Sequence, residues 1–320
     1  MGQAGAARWA AVVVNYEAGD HLTECVRSLL ADDSAGPVEL VVVDNGSTDG
    51  SVERMAREFP DVPVVRAPGN VGYARAANLG IGATRAPIVA VLNPDTRVEP
   101  GTAHALVTRL ERRPLLGACG PRIKNDDGSD YPSARSEPSM PTAIVHALLG
   151  RVRPGNRFTR RYLQLDADPA RAREVAWCSG AAMWLRRDAL DDVGGWDERY
   201  HMFFEDVDLC LRLRQAGWGV EYQPAGVVWH GLGVSRARHP YRMEIEHHRS
   251  AWRFARRRYR GLRAVVLPFV AALLVLRAAA GLVRVALAAR GRGSGDPPRR
   301  GPQGGRCAAR GLTDPRDPSH

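Results

Sequence analysis

The sequence of 320 residues lacks the cysteine pattern and the leader expected of a secreted protein. Its five cysteines are scattered without a C-x-x-C pair, which argues against a disulfide framework or a zinc site and favours a reducing compartment. The first apolar run, Trp9 to Val14, is too short for a signal peptide because Asn15 ends it. The cysteines are Cys25, Cys119, Cys178, Cys210 and Cys307.

Long hydrophobic runs are also scarce. Residues 264–276 are apolar apart from Pro268, but a full membrane span needs about 20 apolar residues. The arginines that flank or follow this run include Arg256, Arg263, Arg277 and Arg284. Because their numbers differ by multiples of seven, a continuous helix would carry them on nearly one face. This favours an amphipathic helix lying on an anionic membrane surface. A tilted or re-entrant segment, a core helix and a docking face for a partner subunit are the alternatives.

The positive charge is concentrated in the C-terminal quarter. Residues 1–235 carry 26 basic and 30 acidic side chains, a net charge of −4, whereas residues 236–320 carry 19 and 5, a net charge of +14. A charged partner is therefore expected to meet the C-terminal quarter. The tail from residue 291 is rich in Gly, Pro and Arg, which predicts disorder.

Apolar runs alternate with helical patterns through the first hundred residues. The apolar positions of the segment 22–30 fall at i, i+3, i+4, i+7 and i+8, which is one face of a helix. This alternation predicts an α/β fold with a parallel sheet. Further on, residues 177–185 are predicted to form one strand, and a helix runs to Gln215. The remaining predicted strands are 11–14, 40–43, 62–65, 88–92 and 226–230.

Four predicted strands are followed by polar side chains that could hold a cation. They are Glu17, Asp44, Asp95 and His230. Ligands of open α/β sheets bind at the carboxyl edge, and Mg²⁺ or Mn²⁺ binds there through one or two carboxylates plus substrate phosphates. The alternatives are plain turn chemistry for Asp44, a helix cap for Asp95 and a hydrogen-bonded edge histidine for His230.

Glu205 and Asp206 stand at the predicted start of a helix. A carboxylate there can interact favourably with the positive end of the helix. Alternatively it can act as a general base on a sugar hydroxyl, which lowers such a barrier by a factor of about 10² to 10⁴. The sequence pattern alone supports both interpretations.

The ordered motifs of residues 10–235 resemble family 2 glycosyltransferases of the GT-A fold, specifically bacterial rhamnosyltransferases acting on polyprenyl-diphosphate-linked sugars. The resemblance implies a Rossmann-like, mostly parallel central sheet flanked by helices, here with a C-terminal amphipathic helical extension. The motifs are Val13-Val14-Asn15-Tyr16, Asp44-Asn45-Gly46-Ser47-Thr48-Asp49-Gly50, residues 69–78 (GNVGYARAAN), Leu92-Asn93-Pro94-Asp95-Thr96, Gly194-Gly195-Trp196-Asp197-Glu198 and Phe204-Glu205-Asp206-Val207-Asp208-Leu209.

The resemblance also implies residue roles. Asp206 would be the catalytic base, assisted by Glu205. Asp95 would bind a divalent cation, Mg²⁺ or Mn²⁺, with His230 as a second metal ligand or a diphosphate contact. Asn93 occupies the first position of the family's D-x-D motif. The implied nucleotide-sugar residues are Asn15, Tyr16, Glu17, Asp44, Asn45, Asn70, Gly72, Arg75, Asn78, Asn93 and Asp95, with Asp44 on the base and Arg75 and Asn78 near the diphosphate. The implied acceptor residues are Trp196, Asp197 and Glu205.

Trp196 and Trp184 are candidates for an apolar sugar platform, with core packing as the alternative.

The implied activity is inverting transfer of a sugar from a nucleotide diphosphate to a lipid-linked or polysaccharide acceptor. The best match is L-rhamnose from dTDP-rhamnose, with a UDP-sugar as the other donor and a polyprenyl-diphosphate-linked glycan as acceptor. The expected location is peripheral, on the cytoplasmic face of the bacterial plasma membrane. The expected division is a catalytic domain at 1–235, a membrane-associating helical segment at 236–290 and a disordered tail at 291–320.

Other functions fit the sequence less well. A processive polysaccharide synthase would carry several transmembrane helices and a Q-x-x-R-W motif, and a nucleotidyltransferase would not need Glu205 and Asp206. A nucleic-acid binder would use the basic C-terminal quarter, but few aromatic residues are interleaved there, so no nucleic acid is expected as a partner. A non-catalytic nucleotide-binding scaffold would bind nucleotide without turnover.

Overall fold

Strands and helices alternate through an α/β fold in the computed structural model, which describes residues 7–137, 142, 145–146, 149–150, 153, 155–231 and 240–292. The strands are β1 (Trp9–Asn15), β2 (Val38–Asp44), β3 (Val64–Arg66), β4 (Ile88–Leu92), β5 (Thr96–Val98), β6 (Leu116–Lys124), β7 (Asp130–Tyr131), β8 (Ala134–Arg135), β9 (Arg173–Glu174), β10 (Trp177–Cys178), β11 (Ala182–Arg186) and β12 (Gly219–His230). The helices are α1 (His21–Ala31), α2 (Ser51–Glu58), α3 (Tyr73–Gly82), α4 (Thr102–Arg112), α5 (Arg157–Tyr162), α6 (Arg187–Val193), α7 (Glu205–Gln215), α8 (Pro240–Arg258) and α9 (Leu267–Arg292).

The main sheet has the strand order β3-β2-β1-β4-β11-β6-β12-β5, with β7 and β9 paired to β6 and β12. Strands β3, β2, β1 and β4 are parallel, as are β6 and β12, whereas β11 is antiparallel to both of its neighbours. The prediction of a mostly parallel sheet flanked by helices is confirmed. The central strands are apolar on both faces because helices cover both. Helices α1, α2 and α4 pack on one face, and α3, α6 and α7 pack on the other.

The strand register brings the functional loops to one edge. Asn15 lies opposite Asp44, and Val13 lies opposite Leu92, so β1, β2 and β4 end together. Strand β12 is longer than predicted and pairs His230 with Thr96 of β5. Residues that are 135 positions apart in the chain, Asp95 and His230, therefore become neighbours.

The predicted strand at residues 177–185 is wrong as a single element. It divides at Ser179-Gly180-Ala181 into β10, which pairs with β8 in a separate two-stranded sheet, and β11, which enters the main sheet. The break has a structural reason, because the backbone of Gly180 turns toward Asp206 and donates to its carboxylate. A strand that continued through Gly180 would lose that contact.

The C-terminal helices differ from the sequence expectation in two respects. The predicted continuous helix is broken between α8 and α9 by the 3₁₀ segment Gly261–Val266, so the four arginines do not form one stripe. The segment Gly261–Leu287 is also long and apolar enough to cross a membrane, by length and composition. The apolar run at residues 264–276 was predicted to be too short to span a membrane. In the structure the apolar segment continues to Leu287, because the helix runs on through Arg277 and Arg284. Of the predicted disordered tail, residues 291–292 end α9 and residues 293–320 lie outside the described residues.

We predict that Gly46→Ala lowers the free energy of unfolding. Gly46 has a φ of +82°, and an added Cβ would lie 2.7 Å from the backbone carbon of Gly69. A non-glycine residue in such a conformation costs roughly 1–3 kcal/mol, before the overlap is counted. Gly82→Ala is the matched control, because a Cβ there meets no heavy atom within 4 Å. Urea unfolding of both variants checks this, and equal stability in the two would contradict it.

Candidate active site

A cavity of about 820 Å³ opens at the carboxyl edge of the sheet. One wall comes from the strand ends, with Tyr16, Asn93, Asp95 and His230 among its residues. The start of α7 contributes to the lining, and α8 and α9 close the opposite side. The cavity is therefore polar toward the sheet and flanked by helices of the C-terminal quarter.

Asn15 and Glu17 hold the loop after β2 and do not line the cavity. Asn15 is fully buried and donates through Nδ2 to the hydroxyls of Ser47 and Ser51, both at 3.0 Å. Glu17 has a φ of +53°, and its Oε1 accepts hydrogen bonds from the backbone and the hydroxyl of Thr48, at 2.7 and 2.9 Å. Both residues position the loop that follows Asp44.

Asp44 and Asn45, at the end of β2, contact different parts of the surrounding loops. Asp44 is buried, accepts from the backbone N–H of Ser47 at 3.0 Å and pairs with Arg66 at 3.2 Å. Asn45 accepts from the N–H of Val71 at 2.9 Å and donates to Asn70 Oδ1 at 3.4 Å. Asn45 and Asn70 line the cavity, together with Tyr16.

Asp95 and His230 form the predicted pair at the sheet edge. Their side chains lie 3.2 Å apart, from Oδ1 to Nε2, and both are largely buried. The amide nitrogen of Asn93 lies 3.3 Å from the same Nε2. A carboxylate oxygen and an imidazole nitrogen this close can occupy adjacent positions around one divalent cation, and both ligand types suit Mn²⁺.

A cation at this pair would need further ligands. Among the described residues, no group of three or more His, Cys, Asp or Glu side chains is arranged to hold a metal. Two protein ligands are what a cation shared with a substrate diphosphate requires. The pair therefore fits a cation that arrives with a nucleotide better than a resident structural metal.

Glu205 and Asp206 begin α7 and line the same cavity. Asp206 Oδ2 accepts from the N–H of Gly180 at 2.9 Å, and Oδ1 accepts from the N–H of Val207 at 2.8 Å. The preceding Phe203 and Phe204 both have left-handed backbones, with φ of 69° and 67°. Two consecutive non-glycine residues in this conformation are costly. They turn the chain so that α7 starts inside the cavity.

The two carboxyl groups have raised pKa values. Burial, then the charge of Asp206, raises the pKa of Glu205 well above its usual range, and Glu205 Oε2 has no hydrogen-bond partner among the described residues. Burial also raises the pKa of Asp206, and the N–H groups of Gly180 and Val207 oppose that rise by stabilising the anion. Asp206 is therefore the better anion of the pair, and Glu205 the better acid.

Two cavity residues were not among the predicted site residues, although Tyr73 belongs to the motif at residues 69–78. The Tyr73 hydroxyl donates to the carbonyl of Gly180 at 2.7 Å. Arg135 lies in an irregular stretch, where no periodicity or motif marks it, yet its guanidinium faces the cavity beside Trp177. Only the tertiary fold brings these residues to the carboxylates.

Several predicted site residues are placed elsewhere. Trp196 is 1% exposed and packs edge-on against Tyr73 at 5.7 Å, so the sugar-platform prediction is wrong for it. The same holds for Trp184, which is fully buried and stacks on Trp9. Both indoles serve the core, since a ring without exposed surface cannot contact a sugar.

Asn78, Arg75, Asp197 and Gly72 do not line the cavity either. Asn78 bonds the backbone N–H and carbonyl of Trp196 at 3.0 and 2.9 Å, which ties α3 to the loop after α6. Arg75 is exposed and lies 3.7 Å from Glu198, and Asp197 pairs with Arg199 and Arg257. Gly72 packs against His201, where a Cβ would lie 2.8 Å from the backbone oxygen. These four residues support the walls of the site.

Basic residues of α8 form ion pairs with the part of the chain before it, the described residues up to 231, which we call the catalytic unit. Arg257 pairs with Asp197 at 3.0 Å and with Asp208 at 3.3 Å, and Arg258 pairs with Glu137 at 2.5 Å. This part of the basic segment is therefore used for internal packing.

We predict that Glu205→Gln gains stability relative to the wild type as pH rises. Because the folded-state pKa of Glu205 is raised, the folded protein holds a proton that the unfolded chain releases above about pH 4.3. The contribution of Glu205 to wild-type stability is therefore greatest below that pH and falls as pH rises toward the folded-state pKa. Glutamine does not titrate and keeps the shape.

Urea unfolding at pH 5, 6, 7 and 8 measures this difference. The exposed Glu111→Gln serves as the control for loss of a surface carboxylate. Parallel pH profiles for the wild type and Glu205→Gln would contradict the effect of burial on this carboxyl.

The family model described as "Glycosyltransferase like family 2" matches residues 7–264. The chain is 40% identical over 262 residues to N-acetylglucosaminyl-diphospho-decaprenol L-rhamnosyltransferase of Mycobacterium tuberculosis, covering 78% of this chain and 84% of that protein. It is 24% identical over 223 residues to rhamnosyltransferase WbbL of Escherichia coli, covering 67% and 80%.

The fold is similar to that of a mannosyltransferase, PcManGT from Pyrobaculum calidifontis, solved with GDP-Man and Mn²⁺. The TM-score is 0.54 at 20% identity, with 91% of this chain and 81% of that chain covered. The structure of GalNAc-T7 with UDP, GalNAc and Mn²⁺ gives a TM-score of 0.54 at 15% identity, covering 72% and 45%. With its GT-A-like sheet and a family match over most of its length, the chain belongs to the family 2 glycosyltransferases.

Proposed function

We propose that the protein transfers L-rhamnose from dTDP-rhamnose to a hydroxyl of a polyprenyl-diphosphate-linked sugar, with inversion at the anomeric carbon. The observation that carries the proposal is the shared cavity: the Asp95–His230 pair and the Glu205–Asp206 pair both line it. The 40% identity to a rhamnosyltransferase of M. tuberculosis that is named for a diphospho-decaprenol acceptor supports the choice of sugar and acceptor.

The donor half of the site belongs to the sheet edge. Asn45 and Asn70 line it next to Tyr16, and Asp44 and Asn15 fix the loop behind them. Asp95 and His230 would hold a divalent cation, Mg²⁺ or Mn²⁺. When bound, that cation supplies Lewis-acid stabilisation of the leaving diphosphate. Asn93 lies beside His230 Nε2 and helps to orient the ring.

Asp206 acts as the base in the proposed reaction. Its carboxylate takes the proton of the acceptor hydroxyl as that oxygen bonds to the anomeric carbon and the carbon–oxygen bond to the nucleoside diphosphate breaks. The amides of Gly180 and Val207 hold both carboxylate oxygens in place. A raised pKa suits a base that must accept a proton near neutral pH.

We further infer that the chain works at the cytoplasmic face of the bacterial plasma membrane. The outward side of α9 carries large apolar residues that are each more than half exposed: Phe269, Val275, Leu276 and Val283. Such a surface suits hydrocarbon or the headgroup boundary. The catalytic domain at 1–235 and the helical segment at 236–290 would then meet a lipid-linked acceptor together.

We predict that Asp95→Ala loses metal-dependent nucleotide binding. The measurement is a thermal-shift panel of dTDP, UDP, GDP and CDP with Mn²⁺, each repeated with EDTA. A ligand at about 100 times its dissociation constant stabilises the native state by about 2.7 kcal/mol, which is readily observed. The wild type should respond most to dTDP and only with Mn²⁺. The exposed Asp61→Ala is the matched control and should respond like the wild type. A wild type that ignores every nucleotide would contradict the donor assignment.

We predict that Asp206→Asn abolishes transfer while donor binding stays nearly intact, because the base acts on the acceptor. The rate should fall by a factor of about 10² to 10⁴. The same thermal-shift panel and the unfolding midpoint separate loss of the base from misfolding. Equal loss of nucleotide binding in Asp95→Ala and Asp206→Asn would be inconsistent with the assigned roles.

A further inference from the structure

The cavity has a second wall whose chemistry differs from that of the sheet edge. Val270, Leu273, Leu274 and Arg277 follow a spacing of i, i+3, i+4 and i+7, so they share one face of α9, and all four line the cavity. Phe254 of α8 adds to this apolar wall. A hydrocarbon chain gains free energy by burying its surface against such an apolar wall, whereas a polar nucleotide sugar does not.

Arg135 lines the same cavity, and three aromatic rings surround its guanidinium. Its Cζ atom lies 4.9 Å from the ring centroid of Trp177, 5.7 Å from Tyr162 and 5.8 Å from Tyr131. Its Nε donates to the carbonyl of Pro132 at 3.0 Å. Among the described residues no carboxylate lies within ion-pair distance of Arg135. A partly desolvated guanidinium with neutral partners is suited to an anion that enters the cavity.

Arg277 brings a second positive charge to the same region. Its side chain lines the cavity, and the imidazole of His146 lies near both arginines. Burial, followed by the positive charges of Arg135 and Arg277, lowers the pKa of His146 to about 4. Glu137, which also lines the cavity, pairs with Arg214 and Arg258 at 3.0 and 2.5 Å.

We propose that Arg135 and Arg277 bind the diphosphate of the prenyl-diphosphate-linked acceptor, with the prenyl chain lying along the apolar face of α9. The inference rests on the proposed function and assigns its acceptor half. The donor diphosphate belongs to Asp95 and His230, so the cavity holds two separate diphosphate sites. Arginine is suited to the task because its planar fork can contact two phosphate oxygens at once.

This arrangement places the acceptor's diphosphate near the base. The charge of Arg135 lowers the pKa of Asp206, opposing the effect of burial, so the guanidinium and the base lie close enough to interact. A sugar joined to a diphosphate at Arg135 can therefore present a hydroxyl to Asp206. The outer side of α9 remains exposed and apolar, so a prenyl chain could pass from a membrane along the helix.

The test uses the full chain in detergent micelles, with farnesyl diphosphate as the probe and EDTA present so that the metal-dependent donor site stays empty. Calorimetric titration gives the dissociation constant. Arg135→Gln and Arg277→Gln should each weaken binding by about tenfold or more, as expected for loss of hydrogen bonds to a charged group. Arg135→Lys keeps the charge and should recover part of the affinity.

Two arginines outside the cavity are the matched controls. Arg284 lies two turns beyond Arg277 on α9, and Arg173 stacks on Tyr222 at 4.5 Å much as Arg135 stacks on Trp177. Arg284→Gln and Arg173→Gln should bind farnesyl diphosphate like the wild type. Inorganic pyrophosphate should bind more weakly than farnesyl diphosphate, because it lacks the chain. Farnesol binding should not depend on Arg135 or Arg277.

Unchanged affinity in Arg135→Gln and Arg277→Gln would overturn the proposal, and so would pyrophosphate binding as tightly as farnesyl diphosphate. The dTDP and Mn²⁺ thermal shift on the same variants keeps the two hypotheses distinguishable. If dTDP stabilises every variant while the affinity for farnesyl diphosphate does not depend on the two arginines, the acceptor assignment is wrong and the donor assignment stands. If substitution of the arginines weakens farnesyl diphosphate binding but no nucleotide binds, the donor assignment is wrong instead.

Discussion

The parallel hydrogen bonding of β1 between β2 and β4 fixes where the functional loops of the catalytic unit begin. Each of these strands ends within a residue or two of its neighbour, so Asn15, Asp44 and Asn93 emerge at one edge. A slip of one residue would turn every buried side chain of a strand to the other face. Because helices pack on both faces of the sheet, such a slip would disrupt the close packing of side chains on each face. The packing of the sheet therefore determines the positions of the site residues at its edge.

The start of α7, unlike the packed sheet, contains several energetically unfavourable features. Two adjacent carboxyl groups lie in a cavity where burial disfavours their ionised forms. Left-handed backbones at Phe203 and Phe204 add to the cost. The N–H groups of Gly180 and Val207 offset part of it, but only for Asp206. This asymmetry makes Asp206 the better anion of the pair and Glu205 the better acid.

The sequence predicted the sheet well because its buried strands are short continuous apolar runs bounded by turn residues. The closeness of Asp95 and His230 at the sheet edge was also predictable, since both residues follow such runs. The break at Gly180 was not, because the segment around it is apolar on both sides and the reason for the break is a contact with Asp206. The prediction of a sugar platform at Trp196 was wrong because a sequence motif identifies the tryptophan but gives no information about the exposure of its ring.

The remaining failures concern contacts across long sequence distances. Arg135 lies in a stretch without periodicity, and only the pairing of β8 with β10 brings it to Trp177. Arg256, Arg263, Arg277 and Arg284 were predicted to share one face because their spacing fits a continuous helix. In the structure the 3₁₀ segment Gly261–Val266 separates them. Arg257 then binds the catalytic unit, while Arg277 lines the cavity.

That separation gives the C-terminal quarter two different surfaces. Helix α8 is joined to the catalytic unit by ion pairs that neutralise part of its charge. Helix α9 presents one apolar face to the cavity and another to the outside. A helix with a single apolar face could serve either the membrane or the active site. Because α9 has two, we infer that the same element contacts hydrocarbon outside the protein and a prenyl chain within it, as the proposed lipid-anchored acceptor requires.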